Sequence, residues 1–200
     1  MNNNKNKIIL DLCAGTGAWS EPYMKDGYDV RLITLPHNDV KYYRPPKNVY
    51  GILAAPPCTM FSLARSTGGY RDFRKALDVV NSCLRIVQEC IINAYDDNNY
   101  KSFKFWALEN PKGYLNKFIG KPAFIFSPWE FGDPYFKNTC LWGHFNEPIK
   151  TPGNKPKKFQ TKEWGSPKCP DKYKHLELNR SDIRAITPQG FARAFYKANK

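Results

Sequence analysis

The run Ile52-Leu53-Ala54-Ala55 stops against Pro56-Pro57, and the residue delivered next is Cys58. Neither proline carries an amide hydrogen, so a strand that reaches this pair has to end there. A short apolar run bounded in this way reads as a strand buried on both faces. In an open α/β sheet, ligands gather beyond the carboxyl ends of the parallel strands, and Cys58 stands at such an end. Two readings are open: a small core residue, as free cysteines commonly are, or a nucleophile.

The rest of the chain repeats this grammar. Lys7 to Leu12 reads as a strand running into the turn Cys13-Ala14-Gly15-Thr16-Gly17, followed by a short helix from about Trp19 to Lys25 and a stop at Gly27. Gly15 and Gly17 remove side chains where backbone has to approach a ligand closely. Tyr28 to Leu35 is expected as the second strand. Its end, Leu35-Pro36-His37-Asn38-Asp39, lacks an acid directly at the strand terminus, leaving Asp39 as a candidate. After the Cys58 loop and the polar stretch Arg65-Ser66-Thr67-Gly68-Gly69-Tyr70-Arg71, a lid or a plain surface loop, Asp72 to Tyr95 is the clearest helix. Phe73, Ala76, Leu77, Val80, Cys83, Leu84, Val87 and Ile91 recur there at helical spacing. Phe103 to Leu108 is a strand that delivers Glu109-Asn110-Pro111, where Glu109 is either the first charge of a helix opened by Pro111 or a partner for Cys58. Phe124 to Phe131 and Thr139 to Trp142 are the last expected strands, and Pro188 opens a terminal helix. Strands alternating with helices imply an α/β fold with a mostly parallel sheet.

Charge divides the chain. Its 200 residues carry a formal net charge of +13, and residues 101 to 200 hold nineteen Lys/Arg against eight Asp/Glu. A polyanion, most economically nucleic acid, is the expected partner. The largest single share of the excess, nine Lys/Arg against four Asp/Glu, sits in an irregular proline-rich stretch, residues 144–180, where Lys155, Lys157 and Lys158 are interleaved with Phe159, Trp164 and Tyr173. Lysines neutralising phosphates beside rings that stack on bases would serve such a partner, and a solvated excursion would look alike. Three units follow: a catalytic and cofactor-binding core over residues 1–143, this segment over 144–180, and a helix over 181–200 that returns to the core. No apolar run is long enough to span a bilayer, and no signal region opens the chain, so a cytoplasmic monomer is expected. The six cysteines have no disulfide-framework spacing. Cys140, His144, Cys169 and His175 form the one composition that could bind zinc, but their spacing fits no standard finger, and no metal is expected.

Four stretches in order carry a resemblance: Asp11-Leu12-Cys13-Ala14-Gly15-Thr16-Gly17, Asp39-Val40, Pro56-Pro57-Cys58-Thr59-Met60-Phe61-Ser62 and Ala107-Leu108-Glu109-Asn110-Pro111. Together they resemble the DNA cytosine-5 methyltransferases, in the form of a compact, phage-type member with a reduced target recognition segment. The resemblance implies a Rossmann-like fold that binds S-adenosylmethionine and methylates carbon 5 of cytosine in double-stranded DNA through a covalent Cys58 adduct with base flipping. It implies Glu109 as the acid beside the base, with Ser62 and Asn110 as pocket contacts. For the cofactor it implies Asp11, Cys13, Ala14, Gly15, Thr16, Gly17, Asp39, Val40 and Pro57, with Trp19 packing on it. Arg65, Arg71, Lys137, Lys155, Lys157, Lys158 and Trp164 are the expected nucleic-acid contacts. Where the family carries a Gln-x-Arg-x-Arg element, this chain has Tyr135, Lys137 and Thr139, and a lysine lacks the guanidinium fork. Arg184-Ala185-Ile186-Thr187-Pro188 resembles a late family motif. The alternatives in play are methylation of RNA cytosine and a catalytically inactive nucleic-acid-binding relative.

Overall fold

The computed structural model describes residues 4–63, 69–96, 102–156 and 168–200. Six strands, β1 (Ile8–Leu12), β2 (Asp29–Ile33), β3 (Val49–Ala54), β4 (Phe105–Pro111), β5 (Phe124–Phe126) and β6 (Thr139–His144), form one sheet in the order β2-β1-β3-β4-β6-β5. β2, β1, β3 and β4 are mutually parallel, and β6 runs antiparallel to both its neighbours. This is a Rossmann-like α/β sheet with one reversed strand inserted near its edge.

The apolar runs are continuous because both faces are covered. Leu10, Leu12, Ile52, Ala54 and Leu108 pack toward α2 (Phe73–Asp96), which contributes Val80, Cys83, Ile86 and Val87. The alternate residues Ile9, Leu53, Phe105, Ala107 and Leu141 face α1 (Glu21–Lys25) and α5 (Gln189–Ala198), whose Tyr23, Phe191 and Phe195 are fully buried. Period-two alternation thus splits each strand between two cores, each closed by helices. The short helix α3 (Asn116–Ile119) packs Ile119 against the first of these cores, α4 (Arg180–Ala185) has no buried residue, and 3₁₀ turns occupy Pro128–Phe131 and Asp171–Leu176. Among the described residues no helix is long and apolar enough to cross a membrane.

Two expectations need correction. Glu109, Asn110 and Pro111 do not open a helix. They extend β4, because β6 supplies a ladder as far as the pair Pro111 with Thr139. The stretch Phe124 to Phe131 is strand only to Phe126; Pro128 turns the remainder into a 3₁₀ turn closed by a reciprocal cap between Ser127 and Glu130. Cys140 is buried in β6 and His144 ends the same strand, so about 13 Å of extended chain separates them, too far for one ion. No group of three or more His, Cys, Asp or Glu is placed to hold a metal among the described residues.

Candidate active site

Parallel strands deliver their carboxyl ends to one edge, and the register shows what meets there. Ala54 pairs with Leu108, so Glu109 stands one step beyond the end of β3 and Cys58 follows four residues after it. The Cys58 carbonyl accepts from the amides of Phe61 (2.9 Å) and Ser62 (2.8 Å), which folds the loop into a tight turn. Asn110, fully buried, donates its amide to the Pro56 carbonyl at 2.9 Å and so fastens β4 to the proline stop. The next residues repeat the fastening. Ser62 bridges Gly113, and the Tyr114 amide donates to the Phe61 carbonyl at 2.8 Å. A Cβ on Gly113 would lie 2.1 Å from that carbonyl oxygen, so only glycine permits the approach. The loops that carry Cys58 and Glu109 are therefore one body.

The charges at this edge act on one another. Burial pushes the Cys58 thiol above its ordinary value, and the Glu109 charge pushes it further; Lys137, a hydrogen bond from the residue's own backbone amide and Arg184 pull it back. The resting group at neutral pH is thus a thiol. The Lys137 ammonium lies 3.5 Å from Glu109 Oε1, and both side chains are over four-fifths buried. Lys137 is held in turn by its amide, which donates to Ser127 Oγ at 3.2 Å, and by its carbonyl, which accepts from Thr139 Oγ1 at 2.8 Å. Tyr135 is buried beside Asp133 and Glu109, and desolvation first, then those charges, raises its hydroxyl. Arg184, on exposed α4, was noted in the sequence only as part of a motif, yet its charge reaches Cys58. Its signal was the Arg-x-x-Thr-Pro pattern; nothing in one dimension told which edge of the sheet α4 would reach.

Beyond β1, the turn from Cys13 to Gly17 has left-handed backbone at Cys13 (φ 57°), Gly15 (φ 54°) and Gly17 (φ 70°). Space is open beside Gly15, whereas a Cβ on Gly17 would press on Leu32 at 3.2 Å. A strand end with a glycine turn and free room beside it fits a nucleotide-like cofactor. Ala14 and Thr16 are half-buried in this turn, and Pro57 is exposed at the same edge. The side chains of the turn do otherwise than expected. Asp11 is buried and accepts from Ser20 Oγ at 2.6 Å; burial raises its carboxyl to about 7 against the opposing effect of that hydrogen bond. The Cys13 thiol is a hydrogen-bond partner of Cys83 in α2, so it faces the core. Trp19 is buried against Phe191 and Phe195 of α5, with ring centroids 5.8 and 5.4 Å away, leaving no face for a cofactor. Its indole nitrogen is buried without a partner. Asp39 accepts from the Lys41 amide at 2.9 Å in the loop after β2, and Val40 is buried in the core under that loop.

The expected nucleic-acid contacts scatter. Arg71 turns inward, donating to the carbonyls of Met60 and Ser62 and lying 5.0 Å over the Tyr114 ring, so it braces the loop after Cys58 instead of meeting phosphates. Lys155 is exposed with its ammonium 5.4 Å over Trp129. Arg65, Lys157, Lys158 and Trp164 lie outside the described residues. Asn110 is too deeply buried to touch a substrate, and its Oδ1 has no partner. Ser62 is half-buried at the loop that carries Cys58. A groove of about 380 Å³ between α1 and α5, lined by Ala18, Glu21, Gln189, Arg193 and Tyr196, contains none of the candidate catalytic groups.

Among solved structures, the chain is similar to a mutant of DNMT2 from Spodoptera frugiperda, at 17% identity and a TM-score of 0.41, over 68% of this chain and 49% of that one. The chain thus spans about half the length of that structure. No protein-family model and no curated protein matches it. At that identity and overlap the site stands on its own groups.

Proposed function

We propose that this chain transfers a methyl group from S-adenosylmethionine to carbon 5 of cytosine in DNA. The observation that carries the reading is the convergence of Cys58, Glu109 and Lys137 at the carboxyl edge of neighbouring parallel strands, with a glycine turn and open space beyond β1 on the same edge. Carbon 5 of cytosine is a poor nucleophile until a group adds to carbon 6. Cys58, losing its proton as it attacks, forms the sulfur–carbon bond and pushes electron density across the ring. Negative charge then builds toward ring nitrogen 3, where Glu109, carrying the proton that Cys58 gives up, acts as general acid. Lys137, at 3.5 Å from Glu109, adds a positive charge against that build-up as a point charge, without a bidentate fork. The backbone of the turn Cys13 to Gly17 would hold S-adenosylmethionine, whose sulfonium would supply the electrophilic methyl and leave as the neutral thioether. Loss of the carbon 5 proton and departure of the Cys58 sulfur restore the ring and the enzyme. Asn110 and the Ser62–Gly113 bridge hold the geometry. A base inside a duplex is out of reach of Cys58, so the target has to leave its stack.

The test is covalent trapping. The protein, S-adenosylmethionine and DNA containing 5-fluorocytosine are mixed and run on a denaturing gel, because fluorine blocks the final elimination. A shifted band that needs the cofactor and is lost in Cys58→Ser supports the reading. A band formed on RNA and not on DNA replaces the substrate, and no band on either, with cofactor bound, refutes catalysis.

A further inference from the structure

The surface that continues from the nucleophile loop has the make-up of a binding face. Residues 112 to 121 hold Lys112, Lys117 and Lys121 and no acid. All three lysines are exposed, as are Tyr114 (40%) and Phe118 (45%). These two rings are not isolated. Phe118 meets Phe73 at 5.1 Å and the fully buried Phe61 at 6.1 Å, and Tyr114 meets Phe73 at 6.0 Å and carries Arg71 over its face. Arg74, exposed in the first turn of α2, follows Phe73 directly; Lys75 beside it is partly offset by Asp72 at 3.8 Å. Scattered apolar residues on a surface are ordinary, but an aromatic cluster rooted in the core, opening to solvent and flanked by cations that outnumber the acids among the described residues is a patch with a chemistry.

We propose that Lys112, Tyr114, Lys117, Phe118, Lys121 and Arg74 form the seat of an unpaired stretch of DNA. The cations match the phosphates and the open rings match free base faces, which a paired duplex keeps inside its own stack. The Ser62–Gly113 bridge and the Tyr114–Phe61 hydrogen bond join this face to the Cys58 turn, so a strand lying on it runs toward the nucleophile. That destination rests on the methyl-transfer reading; the binding face itself does not.

The experiment is fluorescence anisotropy on the full chain, without cofactor, with a labelled single-stranded oligothymidylate, a duplex of equal length and the matching oligouridylate. The triple variant Lys112→Glu/Lys117→Glu/Lys121→Glu is expected to weaken single-strand binding by about 10²-fold and to flatten the salt dependence by about two units of log–log slope. Phe118→Ala is expected to cost on the order of 10-fold. A second triple, Lys25→Glu/Lys197→Glu/Lys200→Glu, makes the same change in net charge on the α1–α5 side and is expected to cost far less. Equal losses from the two triples would overturn the proposal, as would duplex bound more tightly than single strand, oligouridylate bound with oligothymidylate ignored, or polyglutamate competing as well as unlabelled oligothymidylate. Melting curves show that each variant is folded. Trapping run in parallel separates the two readings: a local binding loss with no trapped band in wild type supports this face against the catalytic reading, and trapping with binding unchanged in the first triple overturns this face alone.

Discussion

Gly113→Ala tests whether the two catalytic loops act as one body. The new methyl would sit 2.1 Å from the Phe61 carbonyl oxygen and 3.0 Å from its carbon. An ordinary carbon–oxygen contact is about 3.3 Å, so the loops have to part by roughly 1 Å, and no side-chain rotation relieves backbone. Overpacking of this kind costs about 1–3 kcal/mol. Stretching the Tyr114–Phe61 hydrogen bond, 2.8 Å in the native fold, adds a loss on the order of 1–2 kcal/mol. For a chain of this size the sum lowers Tm by about 5–15 °C. Displacing Cys58 from Glu109 by ~1 Å is expected to slow chemistry by about 10²-fold. Gly143→Ala is the control: its Cβ would lie 2.1 Å from the Trp106 carbonyl oxygen at the far end of β4, away from Cys58. The positive φ of 142° at Gly143 adds backbone strain that Gly113 lacks, so the fold is expected to lose at least as much stability. The assay is the trapping rate on DNA containing 5-fluorocytosine, well below both melting points and normalised to folded protein. Wild-type trapping in Gly113→Ala, or an equal loss in Gly143→Ala, would refute the coupling of the loops.

Alkylation of Cys58 by iodoacetamide, followed by peptide mass spectrometry, is expected to rise about tenfold per pH unit from 7 to 9, because the raised thiol stays below half-ionisation there. Glu109→Gln removes a charge that raises the thiol and speeds the alkylation, while Lys137→Gln slows it; changes of the opposite sign would remove both residues from the site. Asp11 is expected to make the fold less stable as pH rises from about 4 to about 7, since the folded carboxyl keeps a proton that the unfolded one has lost. Asp11→Asn is then more stable than wild type at pH 8, by up to about 4 kcal/mol, and equal near pH 4, as urea unfolding at the two pH values will show. Asn110→Ala leaves the Pro56 carbonyl without its donor and is expected to cost about 1–2 kcal/mol in urea unfolding, with a slower trapping rate and unchanged oligonucleotide affinity. Weaker binding with an unchanged rate would contradict its positioning role.

Much of this arrangement could be read from one dimension because local chemistry forced it. Pro56-Pro57 had to end β3, the three-and-four spacing from Phe73 had to give α2, and Gly15 and Gly17 had to mark a turn. What was not legible depended on partners distant in the chain. β4 runs through Glu109 to Pro111 only because β6 lies beside it, and no local propensity announces that ladder. Trp19 was a cofactor contact only by the resemblance, and α5, some 170 residues later, fills the space over it. Arg71 read as a phosphate contact because it is a cation in a polar loop; the carbonyls of Met60 and Ser62 claim it only once the turn has formed. Lys137 was placed near the substrate by its position in a poor motif match, and its contact with Glu109 gives that position a physical role.

The way the chain leaves and rejoins the sheet has an engineering consequence. Asn146, just past β6, exchanges hydrogen bonds with the Asn199 side chain at 2.8 and 2.9 Å and donates its own side-chain amide to the Ala198 carbonyl at 2.9 Å. Both ends of everything between are thus stitched together at one point, and the Tyr23 hydroxyl, donating to the Asn199 carbonyl at 3.3 Å, ties that point to α1. A loop closed at a fixed gate is tolerant of its own length, because doubling it costs only about 0.6 kcal/mol in closure entropy. The stitch fixes where the chain leaves β6 and where α5 ends, so a change in the length of the segment between them leaves the edge that carries Cys58 and Glu109 as it is.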